Sequence, residues 1–138
     1  MPDGLTSEEE QALIAYASYD QSAWRAYRSL SQDDAASVGE YASGQALISF
    51  NTSFAERAAK QARVQGSGAV SFTSVEMTGE SQAVVTVCVD TTGASLVDAT
   101  GAPAGDDIQH RYASQSMLHR SGQKWMVVSD ENIGVDNC

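Results

Sequence analysis

Basic residues are scarce in this chain: eight lysines and arginines stand against 18 acidic residues, for a net charge of −10. A nucleic-acid backbone would meet repulsion here rather than release its counterions, so no nucleic-acid partner is expected. No polybasic segment is present to hold an anionic membrane surface. Cationic proteins or surfaces remain compatible with the charge, although solubility alone accounts for it. No apolar run approaches the roughly 18 residues that would insert into a bilayer, so no direct membrane insertion is expected. Only two prolines and three phenylalanines occur, yet 42% of the residues are hydrophobic, rich in Ala and Val. That composition belongs to one globular domain spanning residues 1–138, not to a disordered segment.

The catalogue of recognisable chemical motifs is equally thin. Two cysteines far apart in sequence make no zinc pattern. Gly66-Ser67-Gly68 follows a helical pattern and precedes a strand, the wrong order for a phosphate-binding loop. Asp98 with Asp106 and Asp107 lacks the spacing and central glycine of a calcium loop and reads as a turn-associated acidic cluster. No cofactor and no metal are expected. The opening segment Met1–Thr6 does not read as a leader, which by itself points to the cytoplasm; a mature fragment whose leader or anchor has been removed is the alternative.

What the chain does contain is a pair of informatively placed cysteines. Cys88 falls inside a predicted strand and Cys138 is the last residue. A bridge between them would pin a polar tail to a sheet, closing a loop of about 51 residues and contributing roughly 4 kcal/mol on the chain-entropy account. Such a bridge suits an extracytoplasmic domain, secreted, in the cell envelope or on a virion. Two free thiols are the alternative.

Three helices come first. Thr6 and Glu9 form a capping box, with Ser7 and Glu10 as the competing register, and Glu8, Glu9 and Glu10 suit the positive end of the helix dipole. Leu13, Tyr16, Ala17, Asp20, Trp24, Tyr27 and Ser31 follow at helical spacing, predicting a helix to about Leu30. A short helix over 33–42 and a third over 45–65 follow, separated by Ser43-Gly44. The third helix buries Ala46, Leu47, Phe50, Phe54, Ala58, Gln61 and Ala62, and carries Arg57, Lys60 and Arg63 in its last turns. The pattern then changes to period two. Strands are predicted over 69–77, 82–91, 108–118 and 124–129, with a turn-rich stretch at 92–107 containing the tight turn Asp98–Gly101. A sheet with one apolar face must bury it, and the helices supply the cover. The fold class is α+β: three N-terminal helices on a curved four-stranded antiparallel sheet.

Glu40-Tyr41-Ala42-Ser43-Gly44-Gln45-Ala46-Leu47, Val84-Val85-Thr86-Val87-Cys88-Val89-Asp90, Asp98-Ala99-Thr100-Gly101-Ala102-Pro103 and Ser121-Gly122-Gln123-Lys124-Trp125-Met126-Val127, with terminal Cys138, carry a resemblance. In this order they resemble the cystatin-like, NTF2-like superfamily, and within it the small NTF2-like domains of actinobacterial exported proteins and lipoproteins, over residues 8–138. The resemblance implies a cone with an internal pocket. Members often follow a leader and sometimes a lipidated cysteine, neither of which stands in this sequence; phages of such bacteria could carry similar domains. The superfamily includes isomerases, hydratases, cyclases, transport factors and assembly domains, so it implies little about activity. In such domains an exposed face or edge of the sheet commonly supports pairing of protomers, so a homodimer is permitted and not demanded.

A candidate catalytic constellation is Asp20, Tyr16, Tyr27 and His110. Tyr16 and Asp20 are four apart on one helical face and Tyr27 is seven further on. In enzymatic relatives the first helix lines the cone, where a desolvated carboxylate could act as a base and tyrosine hydroxyls could stabilise an enolate oxygen. The plainer explanation has Asp20 bonded to Trp24, to backbone or to an arginine such as Arg111, and the tyrosines simply packed. His110 and His119 have opposite parity on one strand and are not expected to share a metal. The preferred expectation is a non-enzymatic domain that binds a protein partner, pairs as a homodimer through its sheet, or holds a small apolar ligand in the cone. The alternative is a small cofactor-free lyase or isomerase.

Overall fold

The computed structural model describes residues 4–104, 108–135 and 138. Its first helix, α1 (Ser7–Ser29), starts on the expected box: Thr6 Oγ1 accepts from the Glu9 N–H at 3.1 Å, and Glu9 Oε1 accepts from the Thr6 N–H at 2.8 Å. The helix stops at Leu30, which adopts a left-handed conformation (φ 54°). Ser31 then caps α2 (Gln32–Ser37), accepting from the Asp34 N–H, so Ser31 serves the second helix rather than the face of the first.

The helix expected over 33–42 is shorter than its pattern suggests. It gives way to a 3-10 turn, Val38–Glu40, because the next residues bond to a strand instead. The Val127 N–H donates to the Tyr41 carbonyl at 2.8 Å, and the Ser43 N–H donates to the Val127 carbonyl at 2.9 Å. The third helix, α3 (Gly44–Ala59), also ends early. Gln61 turns left-handed at φ 53°, and Arg63 enters a strand instead of a last helical turn. Burial drives the switch: Ala62 and Val64 are both sequestered, and an extended chain lets this segment pair with a strand further on.

That pairing forms a two-stranded sheet the sequence pattern did not reveal, β1 (Arg63–Gly66) against β4 (Ala94–Val97). Gly66 is required here, since φ is +86° and a Cβ would run into the Gly93 carbonyl oxygen. The expected turn follows β4: the Asp98 carboxylate accepts from the Thr100 hydroxyl at 2.6 Å and the Thr100 N–H at 2.8 Å, which hold it below the usual carboxylate range. Asp106 and Asp107, the rest of the acidic cluster, lie outside the described residues.

The main sheet is antiparallel in the order β2 (Ala69–Gly79), β3 (Gln82–Asp90), β5 (Arg111–Ser121), β6 (Lys124–Val135). The mixed α+β architecture therefore stands, with three helices, four antiparallel strands and the additional pair. On β3 the alternation is strict: Ala83, Val85, Val87 and Val89 are buried, while Gln82, Thr86, Cys88 and Asp90 lie on the other side. The buried side meets Ala12, Tyr16, Tyr19, Ala23 and Ala26 of α1 and Phe50 and Phe54 of α3. Leu118 and Val127 are fully enclosed, each stabilising the fold by roughly 1.5–3 kcal/mol. No helix is long and apolar enough to cross a membrane among the described residues.

The tail does not trail. β6 runs six residues beyond the expected Ser129 and stays paired with β5 to Val135. Cys138 is bonded to Cys88, with Cα atoms 5.7 Å apart, so the expected bridge is present. Cys88 pairs with Ala113, and Ala113 with Gly134, so the covalent link spans from the edge strand across β5 to β3. Ala113 is only 8% exposed although it shares the outward parity of Arg111 and Gln115. Cys138→Ser should lower stability by roughly 2–4 kcal/mol, read as a lower urea midpoint; reductant should shift the wild type to the same midpoint and leave the variant unmoved.

Candidate functional site

The helix–sheet interface is not filled with carbon throughout. Ser114 and Ser116 occupy inward positions of β5, 4% and 0% exposed, where a hydroxyl must find an acceptor. Both donate to Asp130 Oδ1, each at 2.8 Å. The Tyr19 hydroxyl reaches Asp130 Oδ2 at 3.4 Å, and the Asp130 N–H donates to Gln45 Oε1 at 3.3 Å. The carboxylate thus joins α1 and β5 to β6, and the backbone N–H of the same residue ties in the start of α3.

A β-bulge puts Asp130 there. Leu118 pairs with Val127 but Met117 pairs with Ser129, leaving Val128 as an extra residue. Counting by twos from buried Trp125 and Val127 would send Asp130 outward; the extra residue reverses the parity and brings it opposite Ser116. Sequence reasoning missed Asp130 for this reason and because the strand was expected to stop one residue earlier. The one available signal was the pair of serines at inward spacing on an otherwise apolar strand.

Beside this network lies a cavity of about 350 Å³, walled by Tyr19, Asp20, Ala23, Trp24 and Tyr27 of α1, Arg57 of α3, Tyr112 of β5 and Asp130 of β6, with Thr91, Ile108 and His110 at its end. Three of the four candidate residues, Asp20, Tyr27 and His110, border it. Tyr16 does not. It is 2% exposed and sits in the core, its ring 6.2 Å from that of Phe72 and edge-on to it. His110 precedes β5 and is held at the backbone, its N–H donating to Thr91 Oγ1 at 3.1 Å and its carbonyl accepting from the Thr91 N–H at 2.8 Å. His119 lies on the opposite side of the sheet, 2.8 Å from Gln82 Nε2.

Asp20 is mostly buried between this cavity and an open cleft of about 540 Å³ bordered by Gln21, Trp24, Arg28 and Gly68. Burial first, and the Asp130 charge second, push its carboxyl up to about 6 against the opposing pull of the Trp24 indole and Arg28. Arg111, an expected partner, instead meets Asp90 at 3.9 Å at the end of β3. Burial likewise raises Tyr19, Tyr27 and Tyr112, the last to about 12, so all three hydroxyls keep their protons and can donate. The Arg57 guanidinium lies 4.1 Å over the Tyr27 ring. Chemically this is a wall of aromatic rings with two carboxylates, one guanidinium and protonated phenols. Among the described residues, no three His, Cys, Asp or Glu side chains gather as a metal site.

No family model matches the sequence, and no curated protein does. Solved structures do match. The crystal structure of the intermembrane space region of the chloroplast protein ARC6 superposes with a TM-score of 0.72 over 94% of this chain and 99% of that one, at 15% identity. At that identity the likeness is one of fold.

Two measurements probe the carboxylates. Because the folded state raises the Asp20 pKa from 3.8 to about 6, its protonated form favours folding. That contribution, on the order of 3 kcal/mol, is complete below about pH 4 and is lost as pH rises through about 6. Asp20→Asn should therefore flatten stability against pH over that window and exceed the wild type at pH 8. Asp130→Asn should lower the Asp20 pKa, seen in carboxyl carbon shifts, whereas Asp130→Ala should cost roughly 1–3 kcal/mol for each stranded serine hydroxyl.

Proposed function

We propose that this chain is an NTF2-like domain of an extracytoplasmic protein and that it binds a small ligand between its first helix and its sheet, without chemistry. The observation that carries the reading is the 350 Å³ cavity, within the size range of small-molecule sites, with apolar rings and a few convergent polar groups. The interruptions in register on β2 and β6 support a curved, cone-like sheet, since bulges curve a sheet around its contents. The bridge from Cys88 to Cys138 supports an oxidising compartment. The name of the structural neighbour places that protein in an intermembrane space; a similar location outside the cytoplasm is part of the proposal for this chain.

A library of small aromatic fragments followed by amide shifts tests the cavity. Binding should perturb the backbone around Asp20–Tyr27 and Asp130, and Ala23→Leu, which fills the space, should abolish it with the fold intact. Shifts confined to the opposite side of the sheet would argue instead for the protein-binding form of this reading, in which a homodimer or a protein partner uses the face carrying Gln115 and 41%-exposed Met117. Thiol trapping in intact cells tests the compartment: a free Cys88 in vivo would remove it.

One observation favours a second reading. Asp20 combines a cavity position with a carboxyl pushed up to about 6, close to the working range of a general base. A lyase or isomerase would use it to take a proton beside a carbonyl while a tyrosine hydroxyl bonds the developing oxyanion. Deuterium exchange into a simple ketone should then be accelerated by the protein, rise with pH through about 6 and vanish in Asp20→Asn. No acceleration leaves binding alone.

A further inference from the structure

The charges around the cavity do not balance. Asp20 and Asp130 both border it, and among the described residues no ion pair reaches either one; the ion pairs of this surface, Arg111 with Asp90 and Arg120 with Glu8 at 3.6 Å, lie elsewhere. Asp130 is bonded by three hydroxyls, which carry dipoles and no charge. Arg57 is the cation on the wall, and its guanidinium is stacked over the Tyr27 ring. Arg28 stands on the cleft side, over Trp24 at 5.7 Å, not on the cavity wall. On the wall itself two carboxylates stand against one guanidinium, with His110 at its end and Arg28 pulling on Asp20 from the cleft side.

The rest of the wall is aromatic. Tyr19, Trp24, Tyr27 and Tyr112 line it together with the two carboxylates; Tyr27 and Trp24 each already carry an arginine over one face, and among the described residues no arginine lies over Tyr19 or Tyr112. Ring faces attract cations, most strongly when water is excluded. The surrounding protein reinforces the sign, because a chain of net charge −10 draws cations toward its clefts and repels anions. An anionic ligand would have only Arg57 to meet and both carboxylates to oppose it. A neutral apolar ligand would leave the mutual repulsion of Asp20 and Asp130 unchanged.

We infer that the cavity takes an organic monocation, an amine or quaternary ammonium with an aromatic or apolar body, whose charge sits between Asp20 and Asp130 and whose body lies against the tyrosine and tryptophan rings. The inference rests on the ligand-binding reading above and narrows its ligand to one charge class. Burial and the Asp130 charge push the Asp20 carboxyl up to about 6, and the groups coupled to it are Asp130 from β6, Tyr16, Tyr19, Trp24 and Arg28 from its own helix, and the Tyr112 hydroxyl from β5.

Three probes of matched shape and different charge test it: benzyltrimethylammonium, benzyl alcohol and benzoate, titrated into the intact disulfide-bonded protein and followed by amide shifts. The cation should bind at the cavity and tighter than either other probe. Its affinity should fall by about tenfold between pH 8 and pH 5 as Asp20 takes up a proton, and by at least that much in Asp20→Asn at pH 8, with Asp20→Glu restoring much of it. Binding of benzyl alcohol should change less than about twofold in the same comparisons. Benzoate binding tightest, and lost in Arg57→Gln, overturns the cation and leaves the ligand-binding reading standing. Equal affinity for benzyl alcohol and the cation does the same. Failure of all three, and of the wider fragment set, to move any cavity amide overturns both.

Discussion

One half-buried carboxylate organises the helix–sheet interface. Asp130 accepts from two enclosed serines and a tyrosine, and each of those donors belongs to a different part of the helix–sheet interface or a different strand position. Remove the acceptor and the serines have no reason to point inward; remove the serines and the charge has no compensation in a poor dielectric. The cavity lies directly beside this network, with Tyr19 and Asp130 belonging to both. The raised Asp20 carboxyl follows from the same arrangement, since part of its shift comes from the Asp130 charge.

How much of this could be read in advance differs from element to element. The first helix was legible to within one residue at its start, because Thr6 with Glu9 and Ser7 with Glu10 both encode a local geometry, and the structure uses the first. The four main strands and the covalent tie of Cys138 to Cys88 were legible as well, from period-two burial and from the oddity of a terminal cysteine. The ends of α2 and α3 were not. Their residues have helical propensity, and distant partners override it: Val127 takes the backbone of Tyr41 and Ser43, and β4 takes that of 63–66. Such competition is settled by contacts that a window of neighbours does not contain.

The candidate site shows the same division. Asp20 and Tyr27 were found because an acidic residue within an apolar helical stripe stands out locally, and the same helix does border a cavity. Tyr16 shares their spacing, but helical periodicity gives a face about a third of a circle wide, and the cavity occupies only part of that arc; Tyr16 falls on the part filled by Phe72. Asp130 escaped because a single extra residue, Val128, inverts the parity on which strand reasoning depends. The general lesson is physical: in a sheet with bulges the polar residue to examine is the one that alternation would throw outward just after a bulge.

The link between Cys138 and Cys88 also changes how the molecule carries mechanical load. Without it, tension on the last residue would peel β6 from the edge of the sheet one rung at a time, the weakest way to open an antiparallel ladder. With it, the pull bypasses that edge and enters an interior strand held on both flanks by β2 and β5, so the ladders resist together in shear.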